Sequence, residues 1–408
     1  MIKKNTSICV IGLGYVGLPL ANELSKKYTT YGFDINKKRI NSLKKGVDLT
    51  NEIKNINKKL FFTSNLKDIK NCNFYIICLP TPVNIKKKPN LQILNSALKK
   101  ISSIITKKDI LVFESTYYPG ATEELVKNNF KKSYNELNVG YSPERINPGD
   151  KKNTINKITK VISANNSKTL LKMSEVYGSI NNNKIYKAKN IRVAEAAKLI
   201  ENVQRDINIG LINELTKIFN KLNVSIHDVL NASETKWNFL KFKPGLVGGH
   251  CIGVDPYYLK FLCERINFKP KVFMSARETN EDMSFFYKKK ITKYINKNDK
   301  VLFLGVSFKE NTNDLRNSKN LELLKMISKN KKIYFYDPHV KKLEKTPKNV
   351  LNYKKQFYDT IIFVVPHKKL FKFIKNNLKS ILKTNGNLID LNKNLKFIGK
   401  KNFNYISL

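Results

Sequence analysis

In the stretch KPGLVGGHCIGVDPYY, residues 243–258, one cysteine is hemmed by glycines and followed four residues later by an acid. The residues are Gly245, Gly248, Gly249 and Gly253 around Cys251, with Asp255 beyond. A glycine cluster costs backbone entropy on folding, so it marks a sharp turn or the close approach of another molecule. The thiol is then either a small buried hydrophobe in a tight loop or a nucleophile presented to a ligand; the stretch alone leaves both open. Lys198 and Asn202 are spaced i, i+4 in a helical sequence and share a face. Such a pair aimed at one point could hold a developing oxyanion, or simply face solvent.

A second constellation is more specific. GLGYVG sets Gly12, Gly14 and Gly17 in G-x-G-x-x-G spacing, with Tyr15 and Val16 inside it, after the apolar run SICVI and at the opening of a helical segment. In that context Gly12 allows the tight turn, Gly14 lets a pyrophosphate reach the backbone and Gly17 lets helix and strand pack closely. Asp34 ends the next strand, ~20 residues on, where an acid binds ribose hydroxyls, favouring NAD and repelling the 2′-phosphate of NADP. Thr81 in CLPTP, and Ser115 and Thr116 in FESTYYPG, end later strands of the same sheet, where a cofactor or water would be held. Read singly, each is an ordinary loop cap.

The elements that carry these residues alternate in the first third of the chain. SICVIGLG, TTYGFD, NFYIICLPTP, DILVFEST, NVGYSPERINPG and ITKVISAN read as strands with helical segments between several of them, which predicts an α/β fold with a parallel, doubly wound sheet. From about Arg192 the pattern is helical: RVAEAAKLIENVQRDINIGLINELTKIFNKL is one long helix without proline, and ARETNEDMSFFYKKKITKYI another. Strands return near Lys300 in KVLFLG, KKIYFYDPHV, YDTIIFVVPH and NGNLIDL. The expected division is an N-terminal Rossmann NAD-binding domain over 1–190, a central helical domain with the cysteine loop over 191–295, and a Rossmann-like C-terminal α/β domain over 296–408.

The 408 residues carry a formal charge of +44, which at first points to nucleic acid or an anionic membrane. The excess is lysine spread along the whole chain, enriched together with asparagine and isoleucine as codon bias would produce. Arginine, whose fork reads phosphate best, occurs only at 39, 145, 192, 205, 265, 277 and 316. Neither nucleic acid nor a membrane is therefore expected as a partner, although a general pull on anionic ligands is. Cys9, Cys72, Cys78, Cys251 and Cys263 form no CxxC pair, a reduced pattern with neither a disulfide framework nor a metal site. With no apolar stretch long enough for a signal region or a membrane span, a cytoplasmic protein is expected.

Taken together, GLGYVGLPLA, EST, SPERINPG, AEAAKLIEN, GGHCIGVDP and FKENTNDLRNS resemble the UDP-sugar 6-dehydrogenases, the UDP-glucose and UDP-N-acetylmannosamine dehydrogenase family, over essentially the whole chain and in the right order. The resemblance implies an NAD-dependent, four-electron oxidation of the sugar C6 alcohol to a carboxylate, in an active site completed by a dimer. By that resemblance Cys251 is the nucleophile, Lys198 and Asn202 support it and touch substrate, and Asp255 works with water beside it. Glu144 acts in thioester hydrolysis and touches substrate, and Thr116 helps place the water. Tyr15, Val16, Arg39 and Arg316 join Gly12, Gly14, Gly17, Asp34, Thr81, Ser115 and Thr116 at the cofactor. Arg145, Gly248, Phe308 and Lys309 join the substrate contacts, and the C-terminal domain binds the UDP-sugar.

The chain departs from the UDP-glucose branch at PERINPG, where those enzymes tend to carry a PEFLxEG-like segment, and at His250 ahead of the cysteine. Both features resemble the bacterial UDP-N-acetylglucosamine and UDP-N-acetylgalactosamine dehydrogenases of surface polysaccharide synthesis. The segment DLNKN lacks an arginine that some relatives place on the substrate, and His250 is assigned no chemistry. The expected substrate is a UDP-N-acetylhexosamine, with UDP-glucose or UDP-N-acetylmannosamine as the alternatives. A different class of reading, an inactive lysine-rich NAD- or nucleic-acid-binding protein, would be expected to have lost Cys251, Lys198 or Asp255, and all three are present.

Overall fold

A computed structural model describes residues 6–50, 52–131, 133–146, 154–328, 332–343, 349–351, 353–395 and 403–408; the end of the SPERINPG segment lies outside them. The chain divides into two compact units, Met1–Glu201 with Tyr257–Phe268, and Asn202–Pro256 with Lys269–Leu408.

The first unit runs β1 (Ser7–Ile11), α1 (Gly17–Leu24), β2 (Thr29–Phe33), α2 (Lys37–Lys44), β3 (Leu60–Thr63), β4 (Phe74–Ile77), α3 (Gln92–Ile101), β5 (Ile110–Phe113), α4 (Ala121–Asn129), β6 (Asn138–Tyr141), β7 (Lys160–Ala164), α5 (Ser167–Gly178) and β8 (Ile185–Lys187). The sheet order is β3-β2-β1-β4-β5-β6-β7-β8. β4, and β1 after Ser7, are apolar because helices cover both faces of the sheet. Ile8, Val10, Phe74 and Ile76 are fully buried and pack with Leu18, Leu20, Ala21 and Leu24 of α1. Each such side chain contributes about 1.5–3 kcal/mol. After β3 the chain crosses to the other side of β1, so the strand order reverses between β1 and β4, the crevice where ligands bind in such sheets.

The expected parallel, doubly wound sheet is present, with one departure among the described strands: β7 pairs antiparallel with β6. A parallel partner needs a long crossover, usually a helix, and the described residues between β6 and β7 hold no helix.

The long predicted helix is present as α6 (Ile191–Lys221), which starts in the first unit and ends in the second. Gly210 within it is explained by α9 (Val272–Ile291): a Cβ there would lie 2.8 Å from Ala276 Cβ. α7 (Ile226–Ser233) and α8 (Asp255–Arg265) precede α9. The second unit continues β9 (Lys300–Leu304), α10 (Lys319–Ile327), β10 (Lys332–Tyr336), β11 (Asn349–Val350), β12 (Tyr358–Phe363), α11 (Lys368–Ile381), β13 (Leu382–Asp390) and β14 (Asn404–Ser407). Its sheet order is β11-β10-β9-β12-β13-β14, the 3-2-1-4-5-6 order of dinucleotide-binding folds.

Both sheets handle their first turn alike. The Gly12 amide donates to Phe33 O at 2.8 Å, and the Gly305 amide to Tyr336 O at 2.9 Å. An acid ending the second strand then accepts the next amide: Asp34 from Leu13, Asp337 from Val306. The two acids differ in access. Asp34 is partly exposed, whereas Asp337 is buried against His367 Nε2 at 3.1 Å. Among the described residues no helix is long and apolar enough to cross a membrane.

Candidate active site

In the first unit the glycine loop has the shape a pyrophosphate requires. Gly12 adopts φ +93°, and a Cβ there would meet Cys78 O at 2.8 Å. At Gly17 a Cβ would stand 1.9 Å from Gly12 O, so the start of α1 is pressed onto the turn. At Gly14 it would meet nothing within 4 Å, which leaves that backbone open to a ligand. Val16, the N-cap of α1, makes no side-chain hydrogen bond to it, and a helix N-terminus left this way suits a phosphate. The residues present therefore fit NAD.

Asp34 Oδ2 accepts from Leu13 N at 3.0 Å and Oδ1 from Asn36 N at 2.9 Å, fixing the acid at the end of β2. Arg39 points inward: Nε donates to Leu13 O at 3.0 Å and NH1 pairs with Asp48 at 2.8 Å, both side chains buried. The Arg39 guanidinium thus ties the glycine loop to Asp48. Thr81 Oγ1 donates to Thr116 O at 2.9 Å and Ser115 Oγ to Leu79 O at 2.6 Å, lacing together the loops after β4 and β5. Tyr258 OH donates to Thr81 O at 2.9 Å.

Behind these loops lies a buried charge cluster that sequence reasoning missed. Lys160 Nζ, on β7, is 2.7 Å from Glu114 Oε2 and 3.2 Å from Glu144 Oε2. Tyr177 OH donates to Glu114 Oε1 at 2.6 Å. Glu144 Oε1 accepts from Arg145 N at 2.6 Å and Ile146 N at 2.8 Å, so the carboxylate is held on both sides. Burial alone would raise Glu144; the Lys160 charge and the two amides outweigh it and hold it below the ordinary range. Among the described residues no backbone amide donates to the Glu114 carboxylate, and burial raises it. Burial would lower Lys160, but the two carboxylates push it up to about 12. The available signal was a lysine inside an otherwise apolar strand, ITKVISAN. Arg145 pairs with Glu201 at 2.8 Å and donates to Thr159 O at 3.0 Å. Lys198 is partly buried on α6, one turn before Asn202.

The second unit holds the cysteine. Cys251 is partly buried, and its carbonyl accepts from Val254 N and Asp255 N at 2.9 Å each as α8 begins. Asn202 Nδ2 donates to Asp255 Oδ2 at 2.5 Å. Fully buried Arg277 braces the loop: NH1 pairs with Asp206 at 2.8 Å, and the guanidinium reaches Ile252 O and Val247 O at 3.5 Å. Burial raises Asp206 to about 6 against the Arg277 charge.

The glycines there answer to the chain itself. A Cβ on Gly248 would lie 2.4 Å from Asn317 O, and one on Gly249, at φ +85°, 2.6 Å from the Phe308 ring. The segment after β9, carrying Phe308, Lys309, Arg316 and Asn317, packs directly on the cysteine loop, and Gly249 N donates to Asn317 O at 3.1 Å. That segment is held by Asp337 and His367: His367 Nε2 lies 3.1 Å from Ser307 Oγ, and Nδ1 accepts from Asn311 N at 2.8 Å. His250, assigned no chemistry from sequence, sits against this segment beside Asp314 and Phe308.

A doubly wound sheet with an open glycine turn and an acid ending its second strand, together with a second sheet of the same order, defines an NAD-dependent dehydrogenase. Comparison gives the family. Residues 6–181 match the NAD binding domain, 192–282 the central domain and 302–396 the UDP binding domain of the UDP-glucose/GDP-mannose dehydrogenase family. The chain belongs to this family and is an NAD-dependent nucleotide-sugar dehydrogenase. It is 43% identical to a UDP-N-acetyl-D-glucosamine 6-dehydrogenase of Salmonella typhi, over 94% of this chain and 95% of that one. It is 40% identical to the enzyme of the same name from Pseudomonas aeruginosa, over 95% and 97%. A solved UDP-D-ManNAc dehydrogenase structure from Pyrococcus horikoshii superposes with TM-score 0.84 at 26% identity, covering 98% of this chain and 99% of that one.

Proposed function

We propose that the chain oxidises the C6 alcohol of a UDP-N-acetylhexosamine, UDP-N-acetylglucosamine or UDP-N-acetylgalactosamine, to the uronic acid, in the cytoplasm, as a precursor for surface polysaccharide. The observation that carries the sugar class is the 43% and 40% identity to two UDP-N-acetyl-D-glucosamine 6-dehydrogenases. PERINPG and GGHCIGVDPYY resemble the same branch. UDP-glucose and UDP-N-acetylmannosamine are the alternatives, and a panel of UDP-sugars read by steady-state NADH decides. The highest kcat/KM on UDP-glucose would overturn the sugar assignment.

Gly12 to Gly17 and Asp34, with Arg39, Thr81, Ser115, Thr116 and Arg316 as further contacts, would hold NAD, which would supply the hydride acceptor for both oxidations. Cys251 Sγ attacks the C6 aldehyde, forming a C–S bond and a thiohemiacetal. Loss of the second hydride leaves a thioester. Water adds at its carbonyl, the C–S bond breaks and the sulfur leaves as the carboxylate forms. Lys198 and Asn202 stabilise the oxyanions at C6. Asp255, bonded to Asn202, and Glu144, held ionised by Lys160, act on the hydrolytic water, which Thr116 helps place. Phe308, Lys309, Arg145 and Gly248 contact the UDP-sugar.

The experiment is Cys251→Ser. The near-isosteric variant is expected to fold and bind nucleotide but to lose turnover severely. Wild type yields two NADH and one carboxylate per UDP-sugar, while the variant stalls at the aldehyde or at a persistent ester visible by mass spectrometry. Full turnover in a folded Cys251→Ser protein would sink the cysteine mechanism. The working form is proposed as a homodimer or a higher homo-oligomer, supported by Leu211 and Ile218, seven residues apart on α6 and 52% and 46% exposed. Light scattering on wild type and Leu211→Glu tests it.

A further inference from the structure

The imidazole of His250 is confined by three neighbours in the second unit. Its Nδ1 lies 3.4 Å from Asp314 Oδ2. Its ring meets Phe308 edge-on, with centroids 5.7 Å apart at 75°. Cys251, the next residue in the chain, completes the group. Asp314 is itself anchored: Arg316 Nε is 3.0 Å from both its oxygens, NH2 is 2.6 Å from Oδ2, and the Arg316 amide donates to Oδ1 at 2.9 Å.

We propose that His250 takes the Cys251 thiol proton and stands beside the sulfur as an imidazolium whose charge Asp314 holds. The S–H bond breaks, the electron pair stays on sulfur, and the proton moves to the ring. When the sulfur adds to the C6 aldehyde, that proton is available to the new alkoxide, so the step balances as thiol plus aldehyde giving thiohemiacetal. A nucleophile, a base in reach and a third group orienting the base is the general arrangement for activating a weak nucleophile.

The charged groups around the ring support the assignment. Asp314 and Cys251 favour the imidazolium, while Arg316, with NH2 3.4 Å from Nδ1, opposes it. The opposition is blunted because the Arg316 guanidinium is paired with Asp314. Burial would lower His250; hydrogen bonds to Asp314 and Cys251 outweigh it and hold the ring up at about 9. Asp314, despite its own burial, is held below the ordinary carboxylate range by His250 and Arg316.

The proposal rests on Cys251 being the nucleophile, and its test is independent of turnover. Full-length protein without substrate is treated with iodoacetamide at pH 7, and alkylation of the Cys251 peptide is followed by mass spectrometry. His250→Phe keeps a ring against Phe308 but removes the proton acceptor, and melting temperature monitors its fold. Alkylation is expected to slow at least about tenfold in His250→Phe and also to slow in Asp314→Asn. Added imidazole is expected to restore part of the rate in His250→Ala. If His250→Phe unfolds, His250→Gln carries the same comparison. Equal alkylation in wild type and a folded His250 variant would overturn the proposal, with Cys251→Ser still inactive. Full turnover in Cys251→Ser would instead refute the nucleophile reading and leave the alkylation comparison standing.

Discussion

Gly14 and Gly17 stand three residues apart, yet an added methyl would meet nothing within 4 Å at Gly14 and the Gly12 oxygen at 1.9 Å at Gly17. Gly14→Ala is therefore expected to keep the wild-type melting temperature and to raise the KM for NAD, because the methyl occupies the face left open to the pyrophosphate. Gly17→Ala is expected to cost about 2–3 kcal/mol through overpacking, roughly 5–10 °C for a unit of this size. Differential scanning calorimetry beside NAD titration separates the two; equal melting temperatures would refute the packing argument. At the same loop, Asp34 and the inward-turned Arg39 predict a strong preference for NAD over NADP. Comparable kcat/KM for both cofactors would show that Asp34 does not bind the ribose.

β5, β6 and β7 bring Glu114, Glu144 and Lys160 together, three charged side chains that are almost fully buried. Breaking such a group by removing one partner leaves uncompensated charge in the interior. Lys160→Met is thus expected to cost about 3–5 kcal/mol, and adding Glu114→Gln to recover part of it; urea melts measure both. An unaffected single variant would mean that water screens the cluster. At the junction of α4 and α6, Glu195 accepts from Gly120 N at 2.6 Å and from Thr122 N and Oγ1 at 2.9 and 2.6 Å. Burial outweighs these donors and raises Glu195 to about 7. A carboxyl whose folded pKa is raised binds its proton more tightly in the fold, so its contribution falls as pH rises from about 4.5 to about 7. Glu195→Gln is expected to be less stable throughout, since an amide NH₂ would face a backbone donor, but to lose that part of the pH slope. A slope unchanged from wild type would show that the group is ionised throughout the range.

Across the whole molecule the charge of +44 meets ligands that are all anions: NAD and a nucleotide sugar. A field of that sign raises the local concentration of both and is screened over about 10 Å at 0.1 M salt. The KM values for NAD and UDP-sugar are expected to rise severalfold from low to 0.5 M salt while kcat changes little. A KM independent of salt would mean that the lysines are too evenly spread to steer.

The first strand, the glycine turn, Asp34 and the 31-residue α6 were legible in the sequence, because each rests on local order: an apolar run, a fixed spacing, a helical period without proline. The edge strands β3, β8, β11 and β14 were not, being two to four residues long and lacking the unbroken apolar run of a buried strand. The sheet's one antiparallel pair was likewise invisible, since direction is decided by how the chain returns rather than by strand composition. Residue types in GGHCIGVDP left a buried thiol and a nucleophile both open, and only tertiary packing decided what Gly248 and Gly249 admit, namely the protein's own Asn317 and Phe308. The same holds for the partners of His250, Glu144 and Arg39. Asp314 is sixty-four residues from His250, and Lys160 is sixteen from Glu144. Hydrogen bonds and burial act through distance in space, which spacing along the chain does not encode once two elements must meet.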